Sequence, residues 1–124
     1  MPTIIRTLEE LFELKIEKQV YKACWGLNGA GLYGAQCGLV EGTLMFISLL
    51  AHRENIEQEK MWQACADFAR EYEQQFGSLQ CKKLRPGGFN EDDPPMLCKP
   101  LTEESIIFSA RFIAKRFGLE MKIK

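Results

Sequence analysis

A small all-α domain is the fold class this sequence predicts, on three observations. Four segments place apolar residues at spacings of three and four, the period of a helix with one buried face. No convincing pair of strand-like segments, internal repeat or low-complexity tract interrupts them. The stretches between them concentrate glycine and proline, which break regular elements. With 124 residues the chain supports one core and not two. Residues 1–124 are therefore read as a single cysteine-containing helical domain, a bundle of four main helices with a Gly-rich loop and a long Pro-rich loop.

The first helix is predicted from Leu8 to about Cys24, where Leu8, Leu11, Phe12, Ile16, Val20 and Ala23 form one stripe. Thr7, followed three residues later by Glu10, fits a capping box at its start. Gly26, Gly29, Gly31 and Gly34 then fall within nine residues, a density that predicts a loop. From about Ala35 apolar residues return through Leu39, Val40, Leu44, Met45, Ile47 and Leu50, predicting a buried second helix that ends near His52. Asn55 with Gln58 signals the start of a third. Its stripe of Met61, Trp62, Cys65, Phe68, Ala69, Tyr72 and Phe76 runs to a stop at Gly77. Residues 82–100 carry Pro86, Gly87, Gly88, Pro94, Pro95 and Pro100 around Glu91, Asp92 and Asp93, predicting a long irregular connection with a solvated acidic run. Thr102 with Glu103 and Glu104 starts the fourth helix, with the acids at the positive end of its dipole. Ile106, Ile107, Ala110, Ile113, Ala114 and Phe117 give its buried face before Gly118.

Charge and hydropathy narrow the function classes. Sixteen Lys and Arg against seventeen Asp and Glu leave a net charge of -1, no field to draw in a polyanion, so nucleic acid is disfavoured as a partner. No membrane span is expected, because the longest apolar run, Leu44 to Leu50, is broken by Ser48. The start of the chain lacks a charged segment followed by an apolar one, and the expectation is a soluble cytoplasmic protein.

Five cysteines, an odd number, point to chemistry on sulfur rather than to a disulfide framework. Cys37 lies at or near the first turn of the second helix, where free backbone N–H groups and the helix dipole favour a thiolate. Gly38 and Gly42 permit close approach of a backbone or a cofactor. Cys81 and Cys98 lie outside the amphipathic stripes, and their loop positions suit ligation or exchange. Cys65, among Met61, Trp62, Phe68 and Ala69, reads as buried core filler. Cys24 faces either the core or the glycine loop. Gly29-Ala30-Gly31-Leu32-Tyr33-Gly34 matches a dinucleotide-binding pattern, but a helix and not a strand precedes it, which disfavours that use. The single histidine, His52, reads as a helix cap.

The ordered set Cys37-Gly38-Leu39-Val40-Glu41-Gly42, then Phe76-Gly77-Ser78-Leu79-Gln80-Cys81, then Cys98 resembles the redox-active protein family named for its C, GCAxxG, C and C cysteine pattern. The likeness runs from about Leu8 to Phe117. It implies a small helical protein whose cysteines hold an iron–sulfur cluster or form exchangeable disulfides, with Cys37, Cys81 and Cys98 as the reactive or ligating sulfurs. Gly38 and Gly42 would line the cofactor, and a redox protein partner or a homodimer would complete the system. Two departures stand out: Leu39 replaces an Ala, and the family's first Cys has no clear equivalent. Either Cys24, thirteen positions before Cys37, replaces that ligand or the site is reduced to three sulfurs. Since a cluster commonly takes four thiolates, the fourth would come from Cys24, Cys65, a non-Cys ligand or a second subunit. The competing reading is a non-catalytic helical interaction module with structural cysteines or a structural metal; a weaker third is small-molecule binding at the glycine loop.

Overall fold

The computed structural model describes residues 2–27, 35–80, 84 and 99–122. Among them the elements are α1 (Pro2–Phe12), α2 (Lys18–Cys24), a 3-10 turn (Trp25–Leu27), α3 (Gly38–Arg53), α4 (Gln58–Phe76) and α5 (Lys99–Phe117). The extended pairing among the described residues is a single antiparallel bridge, Gln36 with Gln80. The fold is all-α, as the periodicity predicts.

The predicted first helix is in fact two. α1 starts at Pro2, a position whose missing N–H would be unpaired in any helix. Thr7 therefore lies inside it, its hydroxyl donating to the Thr3 carbonyl at 3.0 Å, and caps nothing. The helix ends where Glu13 takes a left-handed φ of 51° and the Leu14 N–H reaches back to the Glu9 carbonyl at 3.2 Å. Side chains hold the break. Arg53 donates to the carbonyls of Phe12 and Glu13 at 3.1 and 3.2 Å. The Glu9 carboxylate accepts the Ile16 N–H at 2.6 Å and the Tyr21 hydroxyl at 2.8 Å, tying the turn and the start of α2 to α1. The periodicity misled because Leu14 and Ile16 are buried through the turn, while Ala23, expected inside, is exposed.

α3 begins three residues later than expected, since Gln36 is bridged to Gln80 and Cys37 is extended (φ -65°, ψ 134°). Asn55 closes α3 and does not start α4: its φ is 55°, and the Ile56 N–H bonds the Ala51 carbonyl at 2.9 Å. α4 ends as predicted at Gly77, left-handed at φ 88°, whose N–H bonds the Glu73 carbonyl at 2.8 Å. Its buried face turns toward Ala64, Phe68 and Tyr72, leaving Trp62 59% exposed against expectation. α5 starts at Lys99 and not at Thr102, with Pro100 in the first turn, where no backbone donor is needed. Ile107, expected inside, is 52% exposed, and Ser105 and Ser109 take the buried face in its place. Gly118, at φ 65°, ends the helix as predicted.

Helix α3 packs against α1, α4 and α5 at the centre of the core. Buried hydroxyls fix the register: Thr43 donates to the Leu39 carbonyl, which leaves the Ser109 hydroxyl to donate to Thr43 at 2.9 Å. Tyr72 and Ser105 share a hydrogen bond of 2.7 Å. α4 and α5 are antiparallel, because Phe68 meets Phe112 at 5.3 Å and Phe76 meets Phe108 at 5.6 Å. The end of α4 therefore lies beside the start of α5. The Cys37 N–H donates to the Leu79 carbonyl at 2.8 Å, which brings the start of α3 to the same end of the bundle.

Candidate redox site

Cys37 is the residue just ahead of α3, and its backbone is held on both sides. Its N–H is bonded to Leu79, and its carbonyl accepts the N–H groups of Val40 and Glu41, both at 3.1 Å. Helical geometry leaves the N–H groups of Gly38 and Leu39 with no acceptor inside the helix. The residue is buried, 5% exposed, with Gly38 and Gly42 buried beside it on the first turns. This agrees with the expected helix-start position and places the sulfur in the edge of the core.

Cys81 and Cys98 lie outside the described residues, as do the glycine motif at 29–34 and the acids at 91–93. Their neighbours are described. Gln80, the residue before Cys81, pairs with Gln36, the residue before Cys37. Lys99, the residue after Cys98, is the first of α5. The segment leading into the glycine motif is α2 and a 3-10 turn, so the strand that a dinucleotide site needs does not precede it.

The other thiols differ. Cys24 is fully buried, its S–H donates to the Tyr21 carbonyl at 3.1 Å, and burial pushes the thiol up. Of its two readings, the core is the one observed. Cys65, expected buried, is half-buried on α4 against the core, and desolvation raises its pKa too. Among the described residues no group of three or more His, Cys, Asp and Glu is arranged to hold a metal ion. The His52 Nδ1 lies 2.7 Å from the Ser48 carbonyl, one turn back inside α3. That carbonyl is not among the last four that a cap serves, so this contact does not make His52 the cap expected at the helix end. None of the described helices is long and apolar enough to cross a membrane.

Sequence reasoning passed over Glu41. Its carboxyl is half-buried one turn into α3, and desolvation raises its pKa. Among the described residues the carboxylate has no hydrogen-bond or ion-pair partner. The signal available was its spacing, four residues after Cys37 and so one helical turn away.

The curated proteins and the solved structures give no match to the chain. A family model described as "Putative redox-active protein (C_GCAxxG_C_C)" matches residues 2–112. That span takes in the whole of α1 to α4 and the larger part of α5, and it includes Cys37, Cys81 and Cys98. The chain belongs to the C_GCAxxG_C_C family of putative redox-active proteins.

Proposed function

We propose that this protein carries out thiol–disulfide exchange with a partner redox protein through Cys37 and two cysteines next in sequence to described residues at the same end of the bundle, Cys81 after Gln80 and Cys98 before Lys99. One topological observation carries the reading. Cys37 opens α3, Cys81 follows the residue that pairs with Gln36, and Cys98 precedes α5; the start of α3, the end of α4 and the start of α5 share one end of the bundle. The N–H groups of Gly38 and Leu39, which have no acceptor inside the helix, and the positive end of the dipole favour negative charge on an atom held there.

In the exchange, the Cys37 thiolate attacks one sulfur of the partner's disulfide. A mixed disulfide forms, and the other partner sulfur leaves as a thiolate that takes up a proton. Cys81 or Cys98 then loses its proton and attacks the Cys37 sulfur, releasing the second partner thiol. Two thiols of this chain become one disulfide, the partner's disulfide becomes two thiols, and two electrons pass between them. Such a protein starts its cycle as a thiol in a reducing compartment such as the cytoplasm.

An iron–sulfur cluster fits this donor set less well. A cluster commonly takes four thiolates, and Cys37, Cys81 and Cys98 are three from one chain. Cys24 keeps its S–H on the Tyr21 carbonyl, and burial disfavours the thiolate that a ligand must be. A single chain is one sulfur short.

Peptide mapping of the oxidised protein without prior reduction tests the proposal. A disulfide joining Cys37 to Cys81 or Cys98, reversed by dithiothreitol, is the expected result. Recovery of all three as thiols after exposure to excess oxidised glutathione overturns it in favour of a non-catalytic helical module. Stoichiometric iron and acid-labile sulfide in anaerobically purified protein overturns it in favour of a cluster.

A further inference from the structure

We propose that α5 is the helix through which two copies of this chain associate, pairing antiparallel about Ile107 with Glu103 and Glu104 of each copy against Arg111 of the other. Among the described residues three large apolar side chains are exposed, Trp25, Trp62 and Ile107. Of the three, only Ile107 is flanked along its helix by charges of opposite sign. Glu103 and Glu104 stand one turn before it, Arg111 stands one turn after it, and all three are exposed. Trp62 has Glu59 and Lys60 together on one side and Cys65 and Ala66 on the other.

Local pairing does not account for these charges. Three and four residues to either side of Arg111 stand Ile107, Phe108, Ala114 and Lys115, none of them acidic, so it has no ion-pair partner along its own helix. Glu104 likewise has no base at those spacings. None of Glu103, Glu104 and Arg111 has a hydrogen bond or ion pair among the described residues, whereas Arg116 on the same helix is bonded to Asp67 at 2.6 Å. Nor does the helix dipole explain them, since its effect falls off within the first and last turns. The first turn of α5 holds no acid, and the bases of its last turn are Lys115 and Arg116.

The arrangement is complementary to itself. With Ile107 set against Ile107 on a two-fold axis, a residue four before it faces the residue four after it on the other helix. Glu103 then meets Arg111 and Arg111 meets Glu103, one contact made twice, as an isologous interface requires. Pro100 and Ala114 face each other at the ends of the seam, and their short side chains let the helices approach. A parallel pair would set Glu103 on Glu103 and Arg111 on Arg111, like charge on like charge. A shift of one turn would set Ile107 on a charged side chain. Charge therefore fixes direction and register, and the two isoleucines supply the apolar centre. A seam one helix wide lies at the small end of interface sizes, so the pair is weak and sensitive to salt. The starts of the two α5 helices lie about 24 Å apart along the seam, at 1.5 Å per residue, so each copy keeps its own candidate redox end.

Sedimentation equilibrium of the full chain, from dilute protein to about 1 mM, tests the pairing. The unsubstituted protein is a dimer at the top of that range, and its dissociation constant rises severalfold from low to high salt. Arg111→Glu, and Glu103→Lys combined with Glu104→Lys, are each monomeric throughout, because each sets like charges together twice. An equimolar mixture of the two variants restores the dimer as a heterodimer, since every contact is then between opposite charges. A folding defect or a general surface effect would not give that recovery. An unsubstituted chain that stays monomeric at about 1 mM leaves this face to a different partner and overturns the proposal. A mixture that stays monomeric overturns it too. A dimer that survives in both variants places the interface elsewhere, with Trp62 the next apolar side chain to substitute, and also overturns it. Should either variant fail to fold, as loss of helical circular dichroism would show, Ile107→Ser takes its place. A dissociation constant weakened about tenfold or more then supports the pairing, and an unchanged one overturns it. Exchange at Cys37 is read separately, by disulfide mapping, and stands or falls on its own.

Discussion

Cys37 and Cys65 belong to the same hydrophobic cluster, yet the chain treats their surroundings in opposite ways. Cys65 stands mid-helix in α4, where every neighbouring backbone N–H is spent on a carbonyl one turn back, and desolvation alone acts on its sulfur. Cys37 is the more buried of the two and stands at a helix start, with two N–H groups beyond it that the helix itself does not use, a glycine on its flank and a carboxylate one turn on. Exposure alone would rank Cys65 as the reactive thiol. The exchange reading ranks them the other way, because hydrogen-bond donors left over by helix geometry act on a charge even where water does not reach.

The largest effect expected from this contrast is in exchange itself. Cys37→Ser should reduce dithiol-reversible disulfide formation to background, while Cys65→Ser leaves it unchanged. Non-reducing peptide maps of both variants check this, and equal loss in the two would erase the distinction. The next effect is on what holds the start of α3. Thr43→Val removes the acceptor for the buried Ser109 hydroxyl, and an orphaned buried donor costs about 1–3 kcal/mol. Urea unfolding should show that loss, with faster reagent access to Cys37 as the α3–α5 register loosens.

How much of this was legible in the sequence depends on which force sets each feature. The stop at Gly77 was readable because glycine is the residue that takes φ 88° without strain. The α1 break was not, because it rests on Glu13 in the left-handed region, a conformation disfavoured by roughly 1–2 kcal/mol outside glycine. What offsets that is Arg53, forty residues away in the chain, and no local pattern reports so distant a partner. The predicted buried face of the fourth helix likewise omits Ser105 and Ser109, since a hydroxyl is buried when another helix supplies its bond, here Tyr72 and Thr43. The place of Cys37 at a helix start was legible in the glycine-to-apolar transition, and the partial burial of Glu41 was not, because a single acid on a helix usually faces water.

A smaller effect separates the interior thiols from the helix start. Cys65→Ala should cost roughly 1 kcal/mol through lost packing, measured by thermal or urea unfolding, with disulfide mapping unaltered. Because burial raises the Cys65 thiol above its ordinary value of 9.0, its alkylation should remain slow at neutral pH and speed up only in more alkaline solution than a free thiol requires.

The smallest expected effect is a stability difference that depends on pH. Glu41 has a carboxyl raised in the folded state by desolvation, from an ordinary value of 4.5. The folded protein then binds this proton more tightly than the unfolded chain, so the contribution of this group to stability is greatest in acid. It declines as pH rises from the ordinary value through the folded one, and above that the whole cost of the desolvated charge is present. Glu41→Gln removes the charge and keeps the shape. The variant should therefore melt slightly above the unsubstituted protein at neutral pH, and the gap should close as both are brought below pH 4.5. A gap of the same size at every pH would mean that the substitution acts through packing. One of opposite sign at neutral pH would mean that the carboxylate has a stabilising partner, as Asp67 has in its ion pairs with Arg70 and Arg116.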